Sequence, residues 1–271
     1  MKKIIILLLF IGVCAAVNAS KIDTLSVATK FLSSPEGVVV ITPDMAAEKR
    51  LPVVYLLNGY SGNQFTWINI RRNLPELSDQ YGIIFVMPDG RDSWYWDSPL
   101  DSAMQMESFI TQDLVPYIDA NYNTIPNPSK RAITGLSMGG HGAMWLGFRH
   151  PEIWKNIGST SGGLDIRPFP ENWNLKLHLG EKTENEETWN SHTVINLVED
   201  ITPGYYNIII DCGTDDFFLN VNYNMHDALM NSKIEHDYTL RPGGHTQDYW
   251  ENSILYQLLF FNENFKRDLP D

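Results

Sequence analysis

Short apolar runs alternate with longer helix-like segments along most of this chain, and this alternation constrains the fold more than any other feature of the sequence. Several runs are almost entirely apolar, as expected of strands that are covered on both faces. The predicted strands are residues 25–29, 38–42, 53–57, 83–87, 131–135, 157–160, 206–211 and 238–241. The predicted helices are residues 104–121, 140–149, 223–231 and 251–265. The alternation predicts an α/β protein with a mainly parallel central sheet and helices on both faces.

Residues 163–202 interrupt the alternation of strands and helices. The segment is rich in Trp, Asn, Glu and Pro, and it contains an acidic run at residues 181–187. It is too short to form a second domain, and it lies between two predicted strands. We interpret it as a short, lid-like surface excursion whose charged side chains face solvent.

The first nineteen residues have the composition of an export signal. Two lysines precede an apolar run at residues 4–13, and small residues follow as far as Ala19. The apolar run is too short to cross a bilayer as a permanent helix. We therefore expect residues 1–19 to be a signal peptide that is cleaved after Ala19, which would make the mature protein secreted or periplasmic.

The two cysteines of the chain are separated by the predicted cleavage. Cys14 lies within the signal, and it raises the alternative of a lipid anchor, but Val13 stands where bacterial lipoprotein signals usually have a small residue. Cys212 remains without a partner for an internal disulfide, and its place at the end of an apolar run predicts a buried structural side chain. The mature domain, residues 20–271, must therefore be held together by its hydrophobic core.

The charge of the chain limits the partners that it can have. The formal net charge is −13, which disfavours binding to nucleic acid phosphates and to anionic membrane surfaces. A neutral or weakly charged small molecule or polysaccharide is a more natural ligand. The excess of acidic residues by itself is explained by the solubility of an exported protein.

Residues 135–139 read Gly-Leu-Ser-Met-Gly, a G-x-S-x-G pentapeptide between an apolar strand and a helix. This context is what a nucleophile elbow requires, because the turn is so tight that side chains at both outer positions would collide. The turn would raise the Ser137 hydroxyl above the sheet at a helix N-terminus, where negative charge is stabilised. The alternative is a glycine-rich turn that only packs a helix on a strand.

A serine hydroxyl needs a base to act as a nucleophile near neutral pH. Among the seven histidines, His245 stands out because it follows two glycines in a loop between a strand and the last helix. It is also the last candidate in the chain, where this kind of fold places its base. His141 and His150 lie on the helix after the elbow and are expected to face solvent or cap its end. The other histidines are in loop or surface contexts: His178, His192, His226 and His236.

The base needs a carboxylate that orients the imidazole, and it should follow a strand between the serine and the histidine. Asp215 and Asp216 both follow the apolar run at residues 206–212, and residue types do not distinguish them. Asp211 is a weaker candidate because it still lies within the predicted strand. A turn or helix cap is the structural alternative for the pair.

A tetrahedral intermediate on the serine would need backbone N–H donors. The residue after the nucleophile, Met138, is the first candidate. The second is Tyr60, in the loop at residues 56–62, because Gly59 allows this loop to bend toward the serine.

With these motifs the chain resembles the esterase D-like family of the α/β-hydrolase superfamily. The matching segments lie between residues 53 and 250: LLNGYSG at 56–62, MPDG at 87–90, DSP at 97–99, LVPYI at 114–118, GLSMGG at 135–140, RHP at 149–151, CGTDDF at 212–217 and GGH at 243–245. The family includes feruloyl and acetyl xylan esterases, S-formylglutathione hydrolases, tributyrin esterases and antigen 85-type mycolyltransferases. The resemblance implies an α/β-hydrolase fold and a serine carboxylic ester hydrolase.

The resemblance also implies which aspartate is the acid. The catalytic aspartate of the family stands three residues beyond the glycine, which corresponds to Asp216 and leaves Asp215 as a neighbour. The family often has His-Gly in the oxyanion loop, and here Asn58 replaces the histidine. The backbone donor does not depend on that side chain, and Asn58 can still brace the loop.

The histidines lack the spacing of a zinc site, so we expect no metal and no cofactor.

The substrate is constrained mainly by export, acidity and aromatic content. These features favour acetyl or feruloyl esters of xylan over S-formylglutathione, whose glutathione moiety is cytosolic. Trp94 and Trp96, in the loop after a strand, and Phe217, beside the acid, are candidates to contact the substrate, as is Asn58. Packing of the loop onto the domain is the alternative for the tryptophans. The alternative functions are an acyltransferase, a siderophore esterase and a non-catalytic carbohydrate-binding protein.

Overall fold

The computed structural model of the protein describes residues 20–267, so the predicted signal peptide and Cys14 lie outside the described residues. This part of the chain forms an eight-stranded sheet with strand order β1-β2-β4-β3-β5-β6-β7-β8. The strands are β1 (Lys21–Val27), β2 (Glu36–Thr42), β3 (Val53–Leu57), β4 (Ile84–Pro88), β5 (Arg131–Gly135), β6 (Asn156–Thr160), β7 (Asn207–Gly213) and β8 (Asp237–Arg241). The β1–β2 and β2–β4 pairs are antiparallel and the other pairs are parallel, which confirms the predicted mainly parallel sheet.

Helices cover both faces of the sheet, as the alternation predicts. They are α1 (Thr66–Ile70), α2 (Leu74–Tyr81), α3 (Met106–Ser108), α4 (Val115–Asn121), α5 (Met138–Arg149), α6 (Leu175–Leu179), α7 (Glu186–Ser191), α8 (Leu219–Asn231) and α9 (Gln247–Arg267). A π-helical segment, Phe109–Leu114, joins α3 to α4. Segments of 3-10 helix occupy Asp44–Ala47, Pro128–Lys130 and Val194–Asp200.

Two hydrophobic clusters lie on opposite faces of the sheet, because successive side chains of a strand point in opposite directions. In β3, Tyr55 belongs to the cluster under α5 and α8, whereas its neighbours Val54 and Leu56 belong to the cluster under α1, α2 and α9. Every residue of β3 is buried. A strand covered on both faces can therefore be apolar throughout, which is the pattern that made it visible in the sequence.

The elements that differ from the prediction are short or half-exposed. Strand β1 begins at Lys21 and ends at Val27, earlier than the predicted residues 25–29. It is an edge strand with one partner, so only alternate residues need to be apolar and its polar start gives no signal. The five-residue helix α1 and the eight-residue helix α2 were not predicted, since so few turns carry little periodicity.

The excursion at residues 163–202 is more ordered than its composition suggests. It contains α6, α7 and the 3-10 helix Val194–Asp200, and its own apolar side chains join the cluster under α5 and α8. The glutamates of the acidic run are exposed, as predicted. In residues 20–267, no helix has the length and apolarity that a membrane span requires.

Candidate active site

Ser137 occupies the sharp turn between β5 and α5. Its backbone has φ 56° and ψ −117°, a conformation that L-residues rarely adopt and that is common at functional sites. The turn is held by hydrogen bonds: the Ser137 N–H donates to the Thr160 carbonyl at 3.1 Å, and the His141 N–H donates to the Ser137 carbonyl at 3.1 Å. The predicted elbow geometry is therefore present in the structure.

The two outer glycines of the pentapeptide are sterically required. A Cβ atom on Gly135 would overlap the backbone of Gly139, and a Cβ atom on Gly139 would overlap the carbonyl oxygen of Leu57 in β3. These neighbours are backbone atoms of α5 and of β3, which cannot move aside as the end of a flexible side chain can. The predicted collision of side chains at both positions is confirmed.

We expect Gly139→Ala to lower the free energy of unfolding by about 3 kcal/mol or more, because the new methyl group overlaps the β3 backbone. Gly204→Ala is the matched control: Gly204 has φ +80°, and no atom lies within 4 Å of its added Cβ. Its cost should be about 1 kcal/mol, from the left-handed backbone alone. Urea unfolding of both variants measures the difference, and equal losses would contradict the steric explanation.

The three predicted triad side chains meet above the carboxyl ends of β5, β7 and β8. His245 Nε2 lies 2.9 Å from Ser137 Oγ, and His245 Nδ1 lies 2.9 Å from Asp216 Oδ2 and 3.1 Å from Asp216 Oδ1. The Asp216 side chain is fully buried, whereas Asp215 is exposed. Asp216 Oδ1 also accepts the Phe218 N–H at 2.8 Å, so the carboxylate is fixed beside the imidazole. Residue types alone do not distinguish the two aspartates, but the structure shows that Asp216, and not Asp215, is the one that bonds with His245.

Asp211, the weaker candidate for the acid, has a different place. It is buried and accepts hydrogen bonds from Thr160 Oγ1 at 2.7 Å, Ser253 Oγ at 2.6 Å and Gln257 Nε2 at 2.8 Å. Arg241 Nη2 lies 3.2 Å from its Oδ1. Asp211 therefore joins β7 to β6, β8 and α9 beneath the site. The same Thr160 provides the carbonyl that accepts the Ser137 N–H, so this polar network also supports the elbow.

The predicted oxyanion loop packs directly against the elbow. A Cβ atom added to Gly59 would lie 2.6 Å from Leu136 Cδ1 and 3.3 Å from Ser137 Cβ, so a side chain at this position would require the Leu136 side chain to shift. Tyr60 and Ser137 line the same cleft, and Met138 begins α5 immediately after the serine. Of the two residues predicted to donate backbone N–H groups, Tyr60 therefore lines the cleft of Ser137 and Met138 follows the serine directly.

Asn58 braces this loop from inside the protein. Its Nδ2 donates to the Gly59 carbonyl at 2.9 Å, and its Oδ1 accepts the Gly90 N–H at 2.9 Å and the Tyr95 hydroxyl at 3.1 Å. The side chain is buried, so it has no surface for a substrate. The structure supports the bracing role expected for Asn58 and corrects the expectation of substrate contact.

Trp94 and Trp96 are also buried, with exposed fractions of 1% and 0%. They stack on each other with ring centroids 5.8 Å apart, and both contact the ring of His141. The structure therefore corrects the prediction that these two rings contact substrate: they pack the loop after β4 onto α5. The loop sequence contains three consecutive aromatic residues, and such a run does not reveal which side of the loop faces the protein.

The cleft beside Ser137 has a volume of about 550 Å³ and aromatic walls. Phe217 is 52% exposed, as expected for a substrate-contacting residue, and its ring centroid lies 4.2 Å from that of His245. Trp250 meets His245 edge-on at 4.9 Å, and Trp173 stacks on Phe217 at 5.8 Å.

Trp173 and Trp250 were missed by the sequence analysis. Trp250 lies five residues after the predicted base, in the first turn of α9, and this short spacing is a signal in the sequence; Trp173 lies in the excursion and carries none.

His141 differs from its prediction as well. We expected it to face solvent or cap the helix, but it is fully buried against the two tryptophans, with Nδ1 3.1 Å from the Trp94 carbonyl oxygen. Desolvation by burial lowers the pKa of His141 from 6.5 to about 3. A histidine in this place is therefore neutral in the folded protein at ordinary pH.

We expect acid to destabilise the protein partly through His141. The unfolded chain protonates this side chain below pH 6.5, whereas the folded protein does so only near pH 3, so the free energy of unfolding falls as pH decreases between these values. From pH 8 to pH 5 the loss from this residue is about 2 kcal/mol. Urea unfolding of the wild type and His141→Gln at both pH values should show a smaller pH-dependent loss in the variant. If the wild type and the variant lose the same free energy of unfolding, His141 does not contribute to the destabilisation by acid.

The sequence and the fold of this chain both resemble those of known proteins. Residues 30–261 match the family described as "Putative esterase". An acetyl esterase of Caldicellulosiruptor saccharolyticus is 27% identical over 251 residues, which cover 83% of this chain and 92% of the relative. An S-formylglutathione hydrolase of Mus musculus is 24% identical over 202 residues, covering 67% of this chain and 70% of the relative.

The solved structure of a ferulic acid esterase is similar as well, with a TM-score of 0.79 and 26% identity over 91% of this chain and 99% of the other. The predicted α/β-hydrolase fold is thereby confirmed. The match over residues 30–261 shows that the chain belongs to this family of esterases, and it is a carboxylic ester hydrolase.

Proposed function

We propose that the protein is a secreted serine esterase that cleaves carboxylic esters through an acyl-enzyme on Ser137, with His245 as base and Asp216 as orienting acid. One observation carries this proposal: Ser137 Oγ lies 2.9 Å from His245 Nε2, and His245 Nδ1 lies 2.9 Å from Asp216 Oδ2. Ser137 stands on a strained turn and lines an open cleft.

The chemistry follows from these positions. As Ser137 Oγ attacks the ester carbonyl carbon, His245 Nε2 takes its proton, and the buried Asp216 carboxylate stabilises the imidazolium. The N–H groups of Tyr60 and Met138 donate to the oxyanion of the tetrahedral intermediate. When the intermediate collapses, the C–O bond to the alcohol breaks and the alcohol takes the proton from His245. Water then attacks the acyl-enzyme in the same way and releases the acid.

The proposed substrates are acetyl or feruloyl esters of a carbohydrate such as xylan. The cleft volume of about 550 Å³ is in the usual range for small-molecule sites. Its walls include the aromatic rings of Trp173, Phe217 and Trp250, which suit a sugar or a feruloyl ring. Among the described residues that line the cleft, none is a lysine or arginine, which favours a neutral ester over an anionic glutathione thioester or siderophore. The names of the acetyl esterase and ferulic acid esterase relatives agree with this substrate class.

The substrate is tested by measuring the acetate and ferulate released from acetylated and feruloylated xylo-oligosaccharides, compared with simple aryl esters of the same acids. We expect kcat/KM to be higher for the sugar esters, because the sugar adds contacts in the cleft. Activity confined to the short aryl esters would reject the polysaccharide role. The same reactions with acceptor alcohols present distinguish hydrolysis from acyl transfer, since a transferase would form new esters instead of free acid.

We also propose that residues 1–19 direct export and are then removed. The support is the sequence pattern of two lysines, an apolar run and small residues ending at Ala19. The test is the N-terminal sequence and cell fraction of the full-length chain expressed in a bacterium. The expected product is an exported protein that begins at Ser20, whereas a cytosolic product that begins at Met1 would exclude export.

A further inference from the structure

The excursion reaches the proposed oxyanion loop through a turn at Trp173 and Asn174. These consecutive non-glycine residues have φ 50° and φ 55°, in the left-handed region. Asparagine adopts this conformation readily, whereas in a tryptophan it persists where the surrounding contacts impose it. The Trp173 carbonyl accepts the Trp94 Nε1–H at 3.3 Å, and the Trp173 ring packs on Phe218 at 5.1 Å and on Phe169 at 5.4 Å. The buried Trp94 thus helps to impose this turn.

Asn174 stands at the N-cap position of α6 but does not cap it. An asparagine at this position usually accepts a hydrogen bond from the backbone of the first helical turn. Its side chain makes no such bond here; its Nδ2 donates to the hydroxyl of Tyr60 at 2.7 Å. The two residues are 114 positions apart in the chain, so the bond joins the excursion to the oxyanion loop.

The loop is held on its other side by the segment after β4. Asn58 bonds with Gly90 and Tyr95, and the Ser61 N–H donates to Asp92 Oδ1 at 2.8 Å. These bonds fix the residues before and after Tyr60. The bond from Asn174 holds the hydroxyl end of the Tyr60 side chain. The backbone of Tyr60 carries the N–H that is proposed to donate to the oxyanion.

We propose that Asn174 is a positioning residue, which holds the Tyr60 N–H in the direction of the oxyanion through its hydrogen bond to the Tyr60 hydroxyl. The inference rests on the proposed function, since it assumes an oxyanion at Ser137. Asn174 itself touches no reacting atom. Its effect belongs to the transition state, because the oxyanion is absent from the bound ester.

The test uses Asn174→Gly, Tyr60→Phe and the double variant in the full chain. Glycine accepts a φ of 55° without strain, so Asn174→Gly removes the side chain and leaves the turn allowed. Asn185→Gly is the matched control: it removes another asparagine side chain of the excursion, whose Nδ2 donates to the Glu181 carbonyl at 2.9 Å. All four variants are compared with the wild type on a simple aryl acetate.

We expect Asn174→Gly and Tyr60→Phe each to lower kcat by about tenfold with little change in KM, because misplacement of a catalytic donor acts on the chemical step. The double variant should be no slower than either single variant, since both remove the same bond. The rate of inactivation by a phosphonate ester, which also places an oxygen in the oxyanion site, should fall with kcat. Asn185→Gly should behave as the wild type.

Three results would overturn the inference: wild-type kcat in Asn174→Gly, effects of the two single variants that multiply, or a rise in KM alone. If Asn185→Gly loses as much kcat as Asn174→Gly and its melting temperature also changes, the effect comes from the stability of the excursion. The proposed function fails separately, if the wild type does not hydrolyse esters or if Ser137→Ala retains its activity.

Discussion

Ser137→Ala is expected to lower kcat for ester hydrolysis by at least ~10³-fold while the fold and the binding of substrate remain intact. The variant lacks the hydroxyl oxygen that is proposed to form the acyl-enzyme. The Ser137 hydroxyl bonds with His245 Nε2 at 2.9 Å in a partly exposed position. When the hydroxyl is removed, water can reach His245 Nε2, so no buried polar group is left without a partner. The measurement is steady-state hydrolysis of an aryl acetate, together with the melting temperature.

The control for this variant is Ser191→Ala, which removes an exposed hydroxyl that bonds with the Thr188 carbonyl at 3.0 Å, away from the cleft. It should keep the activity of the wild type. Calorimetric titration of the Ser137→Ala variant with the intact ester should show that the variant still binds the ester. If Ser137→Ala turns over ester at the normal rate, the assignment of the nucleophile is wrong.

Asp216→Asn is expected to lower kcat by about 10³- to 10⁴-fold with a small effect on KM. An amide cannot stabilise the imidazolium, and its NH₂ group favours the wrong tautomer of the ring. Two contacts of the carboxylate with His245 Nδ1, at 2.9 and 3.1 Å, are lost or reversed. The measurement is kcat at a pH where the wild type has its maximum.

Asp215→Asn is an unusually close control for Asp216→Asn. The two aspartates are adjacent in the chain, but Asp215 is exposed whereas the Asp216 side chain is fully buried against the histidine. The same change of charge at residue 215 should alter kcat only a few-fold. Losses of similar size in both variants would mean that net charge near the site, not the contact with His245, determines the rate.

Local sterics made the elbow predictable from the sequence. The turn requires glycine at both outer positions, and the collision of a side chain at Gly135 with Gly139 lies within the pentapeptide itself, whereas Gly139 is also required by its approach to Leu57 in β3. The apolar strands were predictable for a similar reason, because burial on both faces leaves a local pattern. The place of His245 followed from chain order and flanking glycines. The choice of Asp216 over Asp215 required the family resemblance, since both follow the same strand.

The tertiary structure alone decided which candidate side chains are buried and which two tryptophans complete the cleft. Asn58, Trp94, Trp96 and His141 are polar or amphipathic residues in plausible positions, yet packing of the loop after β4 against α5 buries all of them. The cleft is instead completed by Trp173 from the excursion and by Trp250 from α9. The bond from Asn174 to Tyr60 crosses 114 residues of sequence. Local periodicity and motif spacing report steric needs within a few residues, whereas contacts between distant segments depend on how the helices and loops pack around the completed sheet.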